Sequence, residues 1–263
     1  MRMRSQGPGV RLVSSAITSA IFSVSLSSAV IAADNDEIWA PVPQLVSSDG
    51  NTPPSDAIVL FDGSSLDAWH TADTEQAPAW EIAGDTVTVR RGAGTIKTKQ
   101  AFGDIQLHVE WRATDTIEGA SQSRGNSGIF LQSQYEVQIL DSWQNPTYVN
   151  GQAGAIYLQY PPLVNAARAP GVWQTYDIIF TAPRFSAAGE LDAPAYVTVL
   201  HNGVLVQNHV AIQGATYTPT PVYTTRCTPY AQTREQDCSG KLPLTLQDHG
   251  QMVSYRNIWL REL

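Results

Sequence analysis

The sequence predicts an all-β fold, a sandwich of two antiparallel sheets. Three observations carry this. Apolar Ile105, Leu107, Val109 and Trp111 alternate with polar Gln106, His108, Glu110 and Arg112, the period of a strand with one face buried. Residues 196–206 read as a hairpin around Asn202-Gly203, a pair that accepts the positive φ a tight turn needs. Long helical periodicity is absent, while 19 Gly and 16 Pro punctuate the 263 residues, as suits many short strands.

The elements follow in chain order. Arg2, Arg4 and Arg11 lead into an uncharged run over residues 12–33 that ends Ala32-Ala33 before Asp34. This predicts a signal peptide over 1–33 and an exported protein, periplasmic or extracellular. A retained anchor is the other reading; the Ser and Thr content and the small-residue end oppose it. No later stretch approaches the ~20 apolar residues of a membrane helix. Pro41, Pro43, Pro53 and Pro54 mark an irregular lead-in over 34–55. One domain is expected over 56–263, a size ample for a single core. Further strands are expected at 176–180, 196–200, 204–206 and 253–260.

Cys227 and Cys238 are the only cysteines. In an exported chain they are expected to pair as a disulfide, stabilising by about 2–3 kcal/mol through a short loop. The net charge is −8. Loss of the three arginines in 1–33 makes it −11, which disfavours a nucleic-acid partner. Hydrolase elbows, phosphate loops and zincin motifs are absent.

Two clusters carry candidate chemistry. In Tyr135-Glu-Val-Gln-Ile-Leu-Asp141, Glu136 and Gln138 share a strand face, about 6.6–6.8 Å apart. Val137 and Ile139 face the core. Asp141 breaks the parity; either the strand ends before it or a bulge turns it to the Glu136 face. Arg124 and Asn126, just upstream, could lie near. An ordinary solvated strand face is the competing reading. The second cluster is Gln247-Asp248-His249-Gly250, where His249 suits acid/base work near neutrality; a plain turn is the alternative. Glu110 with Arg112 reads as a cross-strand ion pair or a sugar-binding pair.

Several motifs together resemble the 3-keto-disaccharide hydrolase domain family. They are Leu60-Phe-Asp-Gly-Ser-Ser-Leu-Asp-Ala-Trp69, Asn126-Ser-Gly-Ile-Phe130 with the Tyr135 strand, Gly154-Ala-Ile-Tyr157, Pro161-Pro-Leu-Val-Asn165, Trp173-Gln-Thr-Tyr-Asp-Ile178, His201-Asn-Gly-Val-Leu-Val-Gln-Asn208, Leu246-Gln-Asp-His-Gly250 and Arg256-Asn-Ile-Trp259. The resemblance runs from about Ile58 to Leu263; the Cys227 to Cys238 loop departs from the pattern. It implies a concanavalin A-like jelly roll acting on 3-keto-glycosides. Such chemistry needs a base near C2, a group to stabilise the C3 oxygen, and a proton donor for the leaving oxygen. Glu136 or His249 is the expected base. Arg124, Asn126, Gln138, Asp141, Glu110 and Gln247 are expected to bind substrate. A divalent metal held by carboxylate, amide and imidazole would suit an enolate. A separate glycoside 3-dehydrogenase is the expected functional partner. Rival readings are a non-catalytic carbohydrate-binding module and a conventional glucanase, the latter needing two carboxyl groups about 5–5.5 Å apart.

Overall fold

A computed structural model describes residues 37–50, 52–224 and 240–263. The expected signal peptide and both cysteines lie outside these residues. The chain divides after Gln44. Residues 37–44 form no helix or strand. The described residues from Leu45 onward form one β unit.

Among the described residues, two antiparallel sheets hold thirteen of the fifteen strands, as the jelly-roll expectation required. The strands of the first are β1 (Ile58–Phe61), β3 (Glu81–Ala83), β4 (Thr86–Thr88), β6 (Ile105–Ala113), β9 (Gln174–Thr181), β12 (Tyr196–His201), β13 (Val204–Ala211) and β15 (Val253–Glu262). Their order is β13-β12-β9-β6-β15-β4-β3, and β1 also pairs with β15. The second sheet has β2 (Trp69–Thr71), β5 (Ile96–Phe102), β7 (Ser127–Leu131), β8 (Tyr135–Ile139) and β14 (Leu242–Leu246). Its order is β2-β5-β14-β7-β8. A small ribbon, β10 (Arg184–Phe185) with β11 (Leu191–Ala193), stands apart.

The sequence periods explain these elements. β6 alternates buried and half-exposed residues along its whole length, because one face meets the core and the other meets solvent. The β12–β13 hairpin turns on Asn202 and Gly203, with φ of 53° and 78°. β15 closes the chain but shifts register between Arg256 and Trp259, where Asn257 has φ 46°. The two sheets enclose a core that includes Trp111, Tyr176 and Tyr255 from the first and Tyr135, Val137, Ile139 and Leu246 from the second. No helix among the described residues is long and apolar enough to cross a membrane.

The edge of the second sheet positions the site. β8 is its last strand, and its free edge is taken by residues 154–157. Gln138 N–H donates to Ala155 O at 3.0 Å, Gly154 N–H to Gln138 O at 2.9 Å, and Tyr157 N–H to Glu136 O at 3.1 Å. This closes the β8 edge at Glu136 and Gln138 to pairing with another chain, and it brings Tyr157 beside Glu136.

Candidate active site on the outer face of the second sheet

Glu136 and Gln138 do share a face, opposite the core side of β8. That face is not wet. Glu136 is 0% exposed and Gln138 1%. The cover comes from loops that carry no strand pattern. Thr216 fixes one of them: its Oγ1 accepts from Glu136 N–H at 3.3 Å and donates to Gln134 O at 3.0 Å. This places Tyr217 over the carboxyl. Tyr217 stacks on Phe130 at 5.8 Å and leans on Tyr157 at 5.2 Å. The Tyr157 and Tyr148 hydroxyls are 2.6 Å apart. Four aromatic rings thus run in a chain past Glu136.

Room for the carboxyl comes from Gly128 on β7. A Cβ there would lie 2.3 Å from Glu136 Oε1 and 2.9 Å from the Phe130 ring. Only glycine admits the carboxyl at that point.

The electrostatics follow from the burial. Both Glu136 oxygens are buried without a hydrogen-bond partner. Burial pushes the carboxyl up to about 8; the Tyr217 hydroxyl pulls the other way, though its approach falls short of a well-formed hydrogen bond. The phenols rise too. Tyr217 is 51% exposed overall, but partial burial on its Glu136 side pushes the phenol up, and the Glu136 charge adds to this. The exposed Tyr148 also shifts upward, through partial burial and its hydroxyl contact with Tyr157.

The glutamines turn their oxygens free. Gln138 Nε2 donates to Gln122 Oε1 at 3.0 Å and to Gly151 O at 3.3 Å. Gln247 Nε2 donates to the Tyr217 hydroxyl at 2.9 Å. The Oε1 of each is buried with no partner. With the Glu136 oxygens, they make a face rich in bare acceptors, suited to hydroxyl donors.

The other expected residues divide. Asn126 joins the network: its Nδ2 donates to Gln122 O at 2.8 Å, and its N–H donates to Gln251 Oε1 at 2.9 Å. Arg124 and Asp141 form an ion pair. Arg124 Nε meets Asp141 Oδ2 at 2.6 Å, and Asp141 Oδ1 accepts from Trp143 N–H at 3.1 Å. β8 ends at Ile139, so Asp141 is not bulged onto the Glu136 face. Glu110 is a correction. It lies on the outer face of the first sheet, where it pairs with Arg256 at 2.7 Å and accepts from Asn257 at 3.0 Å. The whole core separates it from Glu136. His249 stands in the loop between β14 and β15. It is exposed in a turn that Asp248 holds, accepting from Gly94 N–H at 3.0 Å and Gly250 N–H at 2.9 Å. The Asp248 carboxylate serves the backbone, not the imidazole.

Sequence reasoning missed Tyr217, Tyr148 and Gln122. Tyr217 sits in Thr-Pro-Thr-Pro sequence without periodicity, and nothing there signals its role. Tyr157 had a signal, the Gly154-Ala-Ile-Tyr157 motif.

Among the described residues, this face lacks the imidazole of the expected metal set. It offers one carboxylate and two amide oxygens, and no imidazole bonds among them. Among the described residues no three His, Cys, Asp or Glu side chains gather at one point. The chemistry below is therefore derived from the protein's own groups.

The profile of the 3-keto-alpha-glucoside-1,2-lyase-like domain family matches residues 56–261. The chain belongs to this family. A Parabacteroides distasonis ATCC 8503 protein provisionally assigned as a glycosyl hydrolase is 46% identical to this 3-keto-alpha-glucoside-1,2-lyase-like chain. The match covers 89% of this chain and 98% of that one, with a TM-score of 0.78. Two further solved proteins of that organism, with the same provisional assignment, share the fold at 16% and 20% identity. Each has a TM-score of 0.52 and covers 79% of this chain, and 94% and 99% of their own. No curated protein matches the chain. Family membership makes it a carbohydrate-active protein of the glycoside hydrolase or lyase type.

Proposed function

We propose that this domain cleaves 3-keto-glycosides by elimination, with Glu136 as the base. The observation that carries the reading is Glu136 itself: a buried, unpaired carboxyl pushed up to about 8, on a face rich in hydroxyl acceptors. Leaving such a group unpaired costs stability. A surface that only bound sugar would not need it, whereas a general base tuned toward neutrality does.

A ketone at C3 acidifies the C2 proton. The Glu136 carboxylate takes that proton, and the electron pair delocalises onto the C3 oxygen as an enolate. Collapse of the enolate restores the ketone, forms the C1=C2 double bond and breaks the bond from C1 to the leaving oxygen. Tyr217, held protonated, gives its proton to that oxygen. The proton on Glu136 then passes to Tyr217. Water adds across C1=C2 to complete the hydrolysis. Gln138 and Gln247 present their oxygens to sugar hydroxyls. The closed cover excludes water from the carboxyl, which strengthens it as a base, so Tyr217 must shift for a substrate to arrive.

A conventional glucanase reading needs a second carboxylate within about 5–5.5 Å. Asp141 is the nearest in sequence, and Arg124 occupies it.

Two linked expectations complete the proposal. The ketone must be installed beforehand by an oxidation at C3, which we assign to a separate glycoside 3-dehydrogenase. Both proteins would act after export, in the periplasm or outside the cell.

The test is turnover of a 3-keto-glucoside by wild type, Glu136→Gln and His249→Ala. Glu136→Gln is expected to lose at least a hundredfold in kcat, and His249→Ala to stay within threefold of wild type. Near-normal turnover by Glu136→Gln removes the carboxyl from the mechanism.

A further inference from the structure

We propose that Tyr157 is a further catalytic residue, the hydrogen-bond donor to the C3 oxygen, and that Tyr148 positions it. This rests on the elimination chemistry above and fills its one unassigned task, since the enolate needs a donor at C3.

Strand parity puts Tyr157 on the Glu136 face. Ile156 bridges Val137, and both are fully buried in the core. Tyr157 is the next residue, so its side chain turns to the opposite side, where Glu136 lies. The backbone fixes it there, with Tyr157 N–H donating to Glu136 O at 3.1 Å. Its ring rests against Tyr217, the centroids 5.2 Å apart.

A donor is what this face otherwise lacks. A ketone oxygen can only accept a hydrogen bond. The bare atoms of the face are acceptors too: both Glu136 oxygens and the Oε1 of Gln138 and of Gln247. The amide nitrogens are already engaged. Gln138 Nε2 donates to Gln122 and Gly151, Asn126 Nδ2 to Gln122, and Gln247 Nε2 to Tyr217. Phenols remain. Tyr217 is committed to the leaving oxygen on C1. C1 and C3 flank C2, so the reaction asks for two donors beside one base. Tyr157 is the phenol next to Tyr217.

Tyr148 sets the direction of the Tyr157 proton. The two hydroxyls are 2.6 Å apart, and each has one proton to give. Partial burial raises the Tyr148 phenol, and the contact with Tyr157 raises it further. That is the sign expected of the partner whose proton lies within the pair. Tyr148 therefore donates and Tyr157 accepts, which leaves the Tyr157 proton for the site. The arrangement is built into the chain. The Tyr148 ring lies against Gly151, where a Cβ would overlap it. Gly151 O in turn accepts from Gln138 and Gln122. One short turn, Val149–Gly151, thus orders both the phenol and the amides.

The step balances on these groups. Glu136 takes the C2 proton, and the electron pair moves to the C3 oxygen. That oxygen strengthens the Tyr157 hydrogen bond without taking its proton. Collapse of the enolate returns the pair and weakens the bond again.

The experiment assays wild type, Tyr157→Phe and Tyr148→Phe, each first shown to be folded by its Tm. The substrates are the methyl and 4-nitrophenyl 3-keto-glucosides of one anomer. Tyr157→Phe is expected to lower kcat about 10²-fold on both, the usual loss for one oxyanion donor. Tyr148→Phe is expected to lower kcat on both by a smaller factor, with KM within threefold of wild type. Normal turnover of both substrates by Tyr157→Phe overturns the proposal and leaves the elimination reading intact. So does a defect confined to the methyl glycoside, whose poor leaving group needs a proton, because Tyr157 would then serve C1. Unchanged kcat in Tyr148→Phe overturns its positioning role. Infrared spectroscopy of the ketone labelled with ¹³C at C3 gives a readout independent of turnover. Bound to Glu136→Gln, its C3=O stretch is expected to move to higher wavenumber when Tyr157→Phe is added, and part of the way with Tyr148→Phe. An unchanged stretch overturns the proposal even where nothing is cleaved. Failure of the ketone to bind any of these proteins overturns both the proposal and the elimination reading.

Discussion

Replacing Glu136 by Gln is expected to stabilise the protein, and to do so more as the pH rises. Burial lifts the folded carboxyl from 4.5 to about 8. The unfolded chain ionises near 4.5, so between these values it sheds a proton that the folded state keeps. Rising pH therefore favours unfolding, starting near 4.5 and levelling off above 8. At about 1.4 kcal/mol per pH unit, the penalty is about 1 kcal/mol at pH 5, about 3 at pH 7 and about 5 at pH 9. Glutamine fills nearly the same volume and cannot ionise. Urea unfolding of wild type and Glu136→Gln at pH 5, 7 and 9 measures the difference. The gap in favour of the variant is expected to widen by about 4 kcal/mol over that range. His201 also titrates on folding, since burial and then Arg168 pull it down to about 4, but it is common to both proteins and cancels. A gap that does not change with pH would refute the claim that burial holds this carboxyl neutral.

The other predictions follow from the same geometry. Activity should rise with pH through a single apparent pKa near 8 as Glu136 ionises, seen in the pH profile of kcat/KM; a flat profile from pH 6 to 9 argues for another base. Tyr217→Phe removes the proton donor and the hydroxyl that lowers the Glu136 pKa. Its kcat should fall by about 10²-fold or more, and its pH profile should move to higher pH. Gly128→Ala drives a methyl into Glu136 Oε1; loss of activity with retained β-sheet circular dichroism is expected. Asp141→Ala strands Arg124 as a buried charge and should cost about 3–5 kcal/mol in denaturant unfolding.

The fold was legible where sequence period and environment agree. β6 and the Asn202-Gly203 hairpin are such cases, because each strand has one face in the core. The β15 bulge at Asn257 was not legible: one residue in left-handed geometry leaves little trace in the pattern. The Tyr135 strand showed its two faces but not its burial. Glu136 is covered by residues distant in sequence, Tyr157 and Tyr217 among them, which strand periodicity cannot locate. Parity along one strand also cannot say which sheet it joins, so Glu110 and Glu136 looked equivalent although the core lies between them. Asp141 was rightly singled out as anomalous. Its resolution, an ion pair with Arg124 after the strand ends, depends on a contact across 17 residues.

The most direct measurement is NMR of the product formed from a 3-keto-glucoside in D₂O. If Glu136 removes the C2 proton, the hydrated sugar carries deuterium at C2 after each turnover by wild type, at a rate well above spontaneous exchange, and Glu136→Gln yields none. Cleavage by wild type with the C2 proton retained would contradict the account.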